Sequence, residues 1–384
     1  MRSLLVLSAL TSASVTIHTG HFACYLHPSP SPLQEINAFG QMGVMVKRDD
    51  LLHLHPSDIN GNKARKFLAL HRRLFDSDSS TSAPRVIVSH GGVQSNALRA
   101  LSALVRTYNE RGGSCRLLYY CKKIPSWLRE RPVGTFAAAL EQGVEFRPLA
   151  NAEYAKHFGG DAGSPSLPQT LMPQEEDVLF IPQGGACGSA EEGVALLAEE
   201  LLTQLPSLLP PAAAATIVLP GGTGSTALFL ARHMQRRKDV EVVVVPVVGD
   251  WAYMARQMSR LDHLTGGHGV FPSIAVPSTP PSVFGEPTQG NFQLWRELVS
   301  STGIDFDLMY SVPMWGVLRE AWEGARGSVM CWDGGAGEWA GRRWPIGGGA
   351  EREERMCVVL HCGGAEGNVS WLARARYKGL AVDV

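Results

Sequence analysis

The chain lacks paired cysteines. Its seven, at 24, 115, 121, 187, 331, 357 and 362, are an odd number and stand singly. None forms a CxxC pair, and no His/Cys cluster has metal-ligand spacing, so a disulfide framework and a zinc site are both disfavoured and a reducing compartment fits. Surplus charge is missing too, with 35 Lys and Arg against 36 Asp and Glu. A balance that close gives no electrostatic footprint for nucleic acid or an acidic partner. No segment could span a membrane, because the longest mildly apolar run, within residues 1–20, is short and often interrupted. There are no internal repeats.

What is present is a globular composition. The 384 residues are 45% apolar, enough for two domains with a sizeable core. Residues 1–27 read as a leader or a ragged N-terminus: acid-free at the start, rich in Ser and Thr, with Arg2 the one early cation. If they act as a leader, the destination is an organelle such as a mitochondrion or plastid; if not, the cytoplasm. Beyond them, continuous β-branched runs predict strands at 44–49, 85–90, 116–121, 178–181, 216–220, 240–248 and 356–362. Helical spacing predicts helices over 62–75, 95–108, 134–142, 189–203, 224–236, 290–300, 315–323 and 367–377. The alternation predicts an α/β fold of open parallel sheets covered by helices on both faces. Three stretches, 76–84, 205–215 and 333–355, read as insertions or linkers; the last, Gly-, Arg- and Glu-rich, reads as a mobile loop.

Four strand exits carry polar or glycine-rich segments. In "GNKARKF", Lys63 falls on the apolar stripe of Phe67, Leu70 and Leu74, at about 100° per residue. Lys66 lies about 60° off that stripe and is expected to snorkel outward, and Arg65 lies on the opposite side. An inward ammonium needs an acid partner, a neutral state or a covalent bond, and a structural salt bridge is as good a reading as catalysis. In "LPGGTGSTALF", a strand exit and a helix start frame an anion-binding turn of Thr223, Gly224, Ser225 and Thr226. It lacks the Walker lysine. As a dinucleotide fingerprint it offers Gly222 and Gly224, with Ala227 for the third glycine and Asp250 at the next strand end. In "GGVQSN", Ser95 or Asn96 can cap the following helix or face a ligand. "LHCGG" adds His361 and Cys362 at a fourth exit, His361 reading first as a structural residue.

Taken together the blocks resemble fold-type II pyridoxal-phosphate enzymes, and more narrowly the D-cysteine desulfhydrase and 1-aminocyclopropane-1-carboxylate deaminase family. The resemblance runs from about Pro28 to the C-terminus through "KRDD", "GNKARK", "GGVQSN", "IPQGG", "DLMYS" and "LHCGG". It implies a two-domain, tryptophan synthase β-like fold: a larger cofactor-binding domain of residues 28–66 plus 189–384 and a smaller one of 67–188. It implies pyridoxal 5'-phosphate as cofactor, a small amino acid as substrate and a homodimer. By that resemblance Lys63 forms the Schiff base, Ser95 and Tyr310 are catalytic, and Asn96 meets the ring hydroxyl. Thr223, Gly224, Ser225 and Thr226 take the phosphate, and Ser311 faces the pyridine nitrogen. Gln94, Ser95, Phe284 and Cys362 line the substrate pocket.

Two departures bear on the reaction. The deaminases have Glu where Ser311 stands and Leu where Cys362 stands; the desulfhydrases have Thr at both. Phe284 replaces a family tyrosine. The resemblance therefore favours β-elimination from D-cysteine, giving pyruvate, ammonia and sulfide. The alternatives are deamination of 1-aminocyclopropane-1-carboxylate or of D-serine on the same fold, a member that binds cofactor with little turnover, and, more remotely, a nucleotide-binding α/β protein.

Overall fold

The computed structural model describes residues 30–57, 59–76, 82–159, 167–174, 177–208, 214–277, 283–323, 328–344 and 355–382. The expected leader, 1–27, and parts of the expected linkers, 77–81 of 76–84 and 209–213 of 205–215, lie outside them. Fourteen strands occur among these residues: β1 Leu33–Ala38, β2 Gln41–Lys47, β3 His53–Leu54, β4 Ile59–Asn60, β5 Val86–His90, β6 Arg116–Lys122, β7 Glu145–Leu149, β8 Val178–Ile181, β9 Ala214–Gly221, β10 Val240–Pro246, β11 Ser273–Val276, β12 Ser328–Asp333, β13 Glu338–Arg343 and β14 Arg355–Leu360.

They form an eight-stranded sheet, β1-β2-β14-β9-β10-β11-β12-β13, a four-stranded sheet, β7-β6-β5-β8, and the small hairpin β3-β4. The four-stranded sheet is wholly parallel, as the sequence led us to expect. The eight-stranded sheet is not. Its centre, β2-β14-β9-β10-β11, is parallel, but β1 returns antiparallel on β2, and β12 and β13 close the other margin antiparallel. Short turns join β1 to β2, through Phe39-Gly40, and β12 to β13, and permit antiparallel pairing where a parallel strand would need a crossover; β12 reaches β11 only after the helices Gln289–Thr302 and Ser311–Trp322. The expected loop 333–355 is also corrected in part. Glu338–Arg343 pairs residue by residue with Ser328–Asp333, Trp339 opposite Trp332.

The period of two along β10 decides the packing. Val243 and Val245 join one core with Phe306, Trp315 and Leu318, under the helices Gln289–Thr302 and Ser311–Trp322. Val242 and Val244 join the other, under Ala190–Gln204, Ser225–Met234 and Trp251–Leu264. Burying those valines contributes on the order of 6 kcal/mol before chain entropy is counted. Strand exits of both sheets face one cleft, where open α/β sheets place their ligands. Among the described residues no helix is long and apolar enough to cross a membrane.

Candidate active site

The helix carrying the two lysines is only Gly61–Lys66, because Phe67 (φ −100°, ψ 13°) breaks it from Leu68–Phe75. The break changes the phase of the whole turn, and two expectations fall with it. Lys66 does not snorkel outward; it is 4% exposed. Arg65, expected opposite the apolar stripe, is 2% exposed. Its guanidinium donates to both oxygens of Asp49, each at 2.7 Å, and to both oxygens of Glu200 at 3.0 and 2.9 Å. Lys47 completes the network, 2.6 Å from Glu200. Burial alone would push the Asp49 carboxyl up, but the Arg65 charge and hydrogen bonds bring it below the ordinary carboxylate value. Two cations and two anions thus balance in the interior, and they seat the lysine helix against Ala190–Gln204. At its start, the Asn62 amide donates to the Cys362 carbonyl at 2.9 Å, tying the helix to the exit of β14.

Among the described residues neither lysine meets a carboxylate. Both ammoniums reach the Gly184 carbonyl, Lys66 at 2.9 Å and Lys63 at 3.4 Å. Burial lowers Lys63 from 10.5 to about 8. Burial lowers Lys66 well below its ordinary value as well, with the Lys63 charge adding to the effect. The salt-bridge reading of Lys63 therefore has no partner to rest on among the described residues.

Lys63, Lys66, Ser95, Asn96, Thr223, Gly224, Ser225, Thr226, Phe284, Tyr310 and Cys362 all line one cavity of about 190 Å³. The glycine-rich turn lies between the exit of β9 and the helix Ser225–Met234. Gly224 takes the left-handed conformation (φ +71°) directly before the helix Ser225–Met234, whose first N–H groups receive no side-chain cap. Thr223 and Ser225 hydroxyls lie 3.1 Å apart at its mouth. Across the cavity, Ser95 does cap the helix Asn96–Glu110, accepting from the Ala97 amide at 3.2 Å. Asn96 beside it keeps a buried Oδ1 without a hydrogen-bond partner among the described residues. Tyr310 stacks its ring at a tilt on Phe284, centroids 5.2 Å apart. Burial raises the Tyr310 phenol and the Cys362 thiol, so both stay protonated near neutral pH.

Two expected residues do not reach the cavity wall. Gln94 spends its amide on structure: Nε2 donates to Val133 O at 3.3 Å, and Oε1 accepts from Phe136 N and Ser370 Oγ. Ser311 is fully buried behind Tyr310, its hydroxyl donating to Asp307 at 2.5 Å. Asp307 is the residue that motif reading missed. It accepts from the amides of Met309, Tyr310 and Ser311, and so holds Tyr310 at its station. Its signal was its place at the head of "DLMYS", but the spacing did not reveal that it consumes the Ser311 proton. His90 was missed as well. It lines the cavity, accepts from the Gln183 amide at Nε2 and meets Tyr154 OH through Nδ1, and burial lowers it to about 4. It is a neutral ring that fixes the segment carrying the Gly184 carbonyl.

Asp250 caps the helix Trp251–Leu264, accepting from Tyr253 N at 2.7 Å, on the exposed surface. That leaves the nucleotide reading without its ribose carboxylate. His361 is the structural residue expected, bonded to Asp305 O and Gly363 N. Among the described residues no group of three His, Cys, Asp or Glu could hold a metal ion.

Solved structures share this architecture. An ACC deaminase homologue superposes with TM-score 0.63 at 19% identity over 94% of this chain and 98% of its own. A hydrogen sulfide-producing enzyme from Fusobacterium nucleatum gives 0.52 at 13% identity, over 88% and 96%. A fungal L-serine ammonia-lyase from Rhizomucor miehei gives 0.51 at 14%, over 91% and 98%. No protein-family model and no curated protein matches the chain. The fold is that of the fold-type II enzymes which the sequence blocks resemble.

Proposed function

We propose that this protein is a pyridoxal-phosphate-dependent lyase acting on a small amino acid, by β-elimination of the D-cysteine desulfhydrase type, giving pyruvate, ammonia and sulfide. The observation that carries the reading is the pair of buried lysines without carboxylates, opposite a glycine-rich helix start. One amine has a lowered pKa suited to a covalent bond with an aldehyde; the other keeps its charge only if an anion is beside it. A phosphate on the Thr223–Thr226 turn supplies that anion, and the unpartnered Asn96 Oδ1 fits a ring hydroxyl. When bound, pyridoxal phosphate supplies an electron sink conjugated to the substrate nitrogen.

The chain's own groups do the rest. Lys63, released by the incoming amino acid, stands as a base of suitable pKa for the α-proton. Ser95, whose oxygen accepts from Ala97 N and whose side chain also hydrogen-bonds Tyr119, lines the wall where the substrate carboxylate would sit. Tyr310, protonated and held by Asp307, donates toward the departing group. Phe284 closes the wall without a hydroxyl. The hydrogen sulfide-producing neighbour supports elimination of sulfide, and the ACC deaminase homologue keeps ring opening as the second reading.

The test is a visible absorbance spectrum after adding pyridoxal phosphate, then D-cysteine with sulfide and pyruvate detection. Lys63→Ala is expected to lose the protein-bound visible band. Lys66→Ala is expected to keep it with weaker cofactor retention. A band that survives Lys63→Ala refutes the assignment.

A further inference from the structure

The cavity holds more positive charge than this chemistry uses. Four cationic side chains line it, Lys63, Lys66, Arg99 and Arg260, against one carboxylate, Glu366, which already accepts from Asn60. On the reading above, Lys63 is consumed as an amine and Lys66 faces the cofactor phosphate. Arg99 and Arg260 remain. Arg99 follows Ser95 by four residues and Asn96 by three, so it lies one turn further along the same helix face. Arg260 comes from the other sheet's layer, on Trp251–Leu264. Both are part-buried, and neither guanidinium has an ion-pair or hydrogen-bond partner among the described residues. A part-buried guanidinium with its fork open toward a cleft suits a carboxylate, sulfonate or phosphate oxygen pair.

We propose that Arg99 and Arg260 select amino acids whose β-substituent carries a second acid group. This rests on the lyase reading and extends it beyond D-cysteine, the sulfur leaving on an acid-bearing thiol in place of sulfide. The bonds broken are the same: the α-proton goes to Lys63, the Cβ–S pair leaves with sulfur as an acid-bearing thiolate, and water hydrolyses the residual enamine to pyruvate and ammonium. The α-carboxylate stays with Ser95 and the tail anion goes to the arginines.

The probes are both enantiomers of S-carboxymethylcysteine and its neutral isostere S-carbamoylmethylcysteine. With loaded enzyme, the acid is expected to have a KM about ten- to hundredfold lower than the amide, the range of a charge-assisted hydrogen bond. Arg99→Gln and Arg260→Gln should each collapse most of that ratio while leaving the amide's kinetics unchanged; Arg99→Lys should retain part of it. Calorimetry on cofactor-free protein in a phosphate-free buffer should show the same preference, and melting curves check that the variants fold. Equal constants for acid and amide overturn the proposal. So does a variant that weakens both probes alike, which would put the arginines on the α-carboxylate, or one that mainly loosens pyridoxal phosphate. Failure of the lyase reading looks different: no visible band and no turnover of either probe, with the calorimetric preference still measurable.

Discussion

Lys63 should titrate as an amine near pH 8, two and a half units below an ordinary lysine. Burial is the main cause, opposed by Cys362. The perturbation that isolates it is Lys66→Met, which leaves one buried amine in the cavity. The sign follows from the chemistry. Only the free amine attacks an electrophile, so reactivity is lost as pH falls below the folded-state pKa and is flat above it. At pH 7 about one-eleventh of such a group is neutral, against about one in 3,000 for a lysine of pKa 10.5, a ratio of about 300. The assay is trinitrobenzenesulfonate labelling of cofactor-free Lys66→Met across pH 6 to about 11, read by peptide mapping, with N-acetyl-lysine as reference. The expected Lys63 profile rises tenfold per pH unit to about 8 and then levels. A profile that climbs in parallel with the reference to pH 10 and beyond would refute the burial argument and leave Lys63 an ordinary ammonium.

Other consequences can be checked separately. Arg65→Met would strand Asp49 and Glu200 with Lys47 alone; a loss of about 3–5 kcal/mol in denaturant unfolding is expected, and a loss near zero would mean the network does not seat the helix. Gly364→Ala forces a Cβ to 2.3 Å from Asn96 Nδ2 at a φ of +93°. It should weaken pyridoxal phosphate binding by about tenfold or more while sparing the fold, as judged by fluorescence titration beside circular dichroism; unchanged affinity would remove Asn96 from the cofactor site. Ser311→Glu places a second carboxyl against buried Asp307, so one of them must stay protonated. That variant should gain stability as pH falls, and Asp307→Asn added to it should flatten the pH profile. A Ser311→Glu protein with a flat profile would show that the two side chains do not meet.

The central strands were legible because β-branched runs such as Val242–Val245 are buried on both faces, and that pattern needs no partner to be recognised. The antiparallel margins were not. β1 (LQEINA), β12 (SVMCWD) and β13 (EWAGRR) are short and show neither a long β-branched run nor a strict alternation, and β12 pairs with β11, which lies two helices earlier in the chain. The cavity lysine was legible, since a motif and a helix period agreed on it. The environments of its neighbours were not, because the period assumed one continuous helix and Phe67 ends it. Arg65 reads as a surface cation until Glu200, 135 residues on, folds against it. Ser311 was named from its block, but the use of its proton depends on the three-dimensional turn at Asp307. Local pattern carries burial and helix period; charge pairing across long loops lies beyond it.

β14 lies between β2 and β9, and its exit carbonyl is the one that receives the lysine helix. During synthesis this has a temporal meaning. The four-stranded sheet is contiguous and can assemble while the ribosome is still working. The eight-stranded sheet waits, with β2 and β9 presenting open edges, until a segment past residue 355 arrives to join them. A chain stalled before that point holds every residue of the lysine motif and of the glycine-rich turn, yet has no seam to bring them together. The cleft can form only once β14 has been made, and a chain that stops short of it is the form most in need of a chaperone.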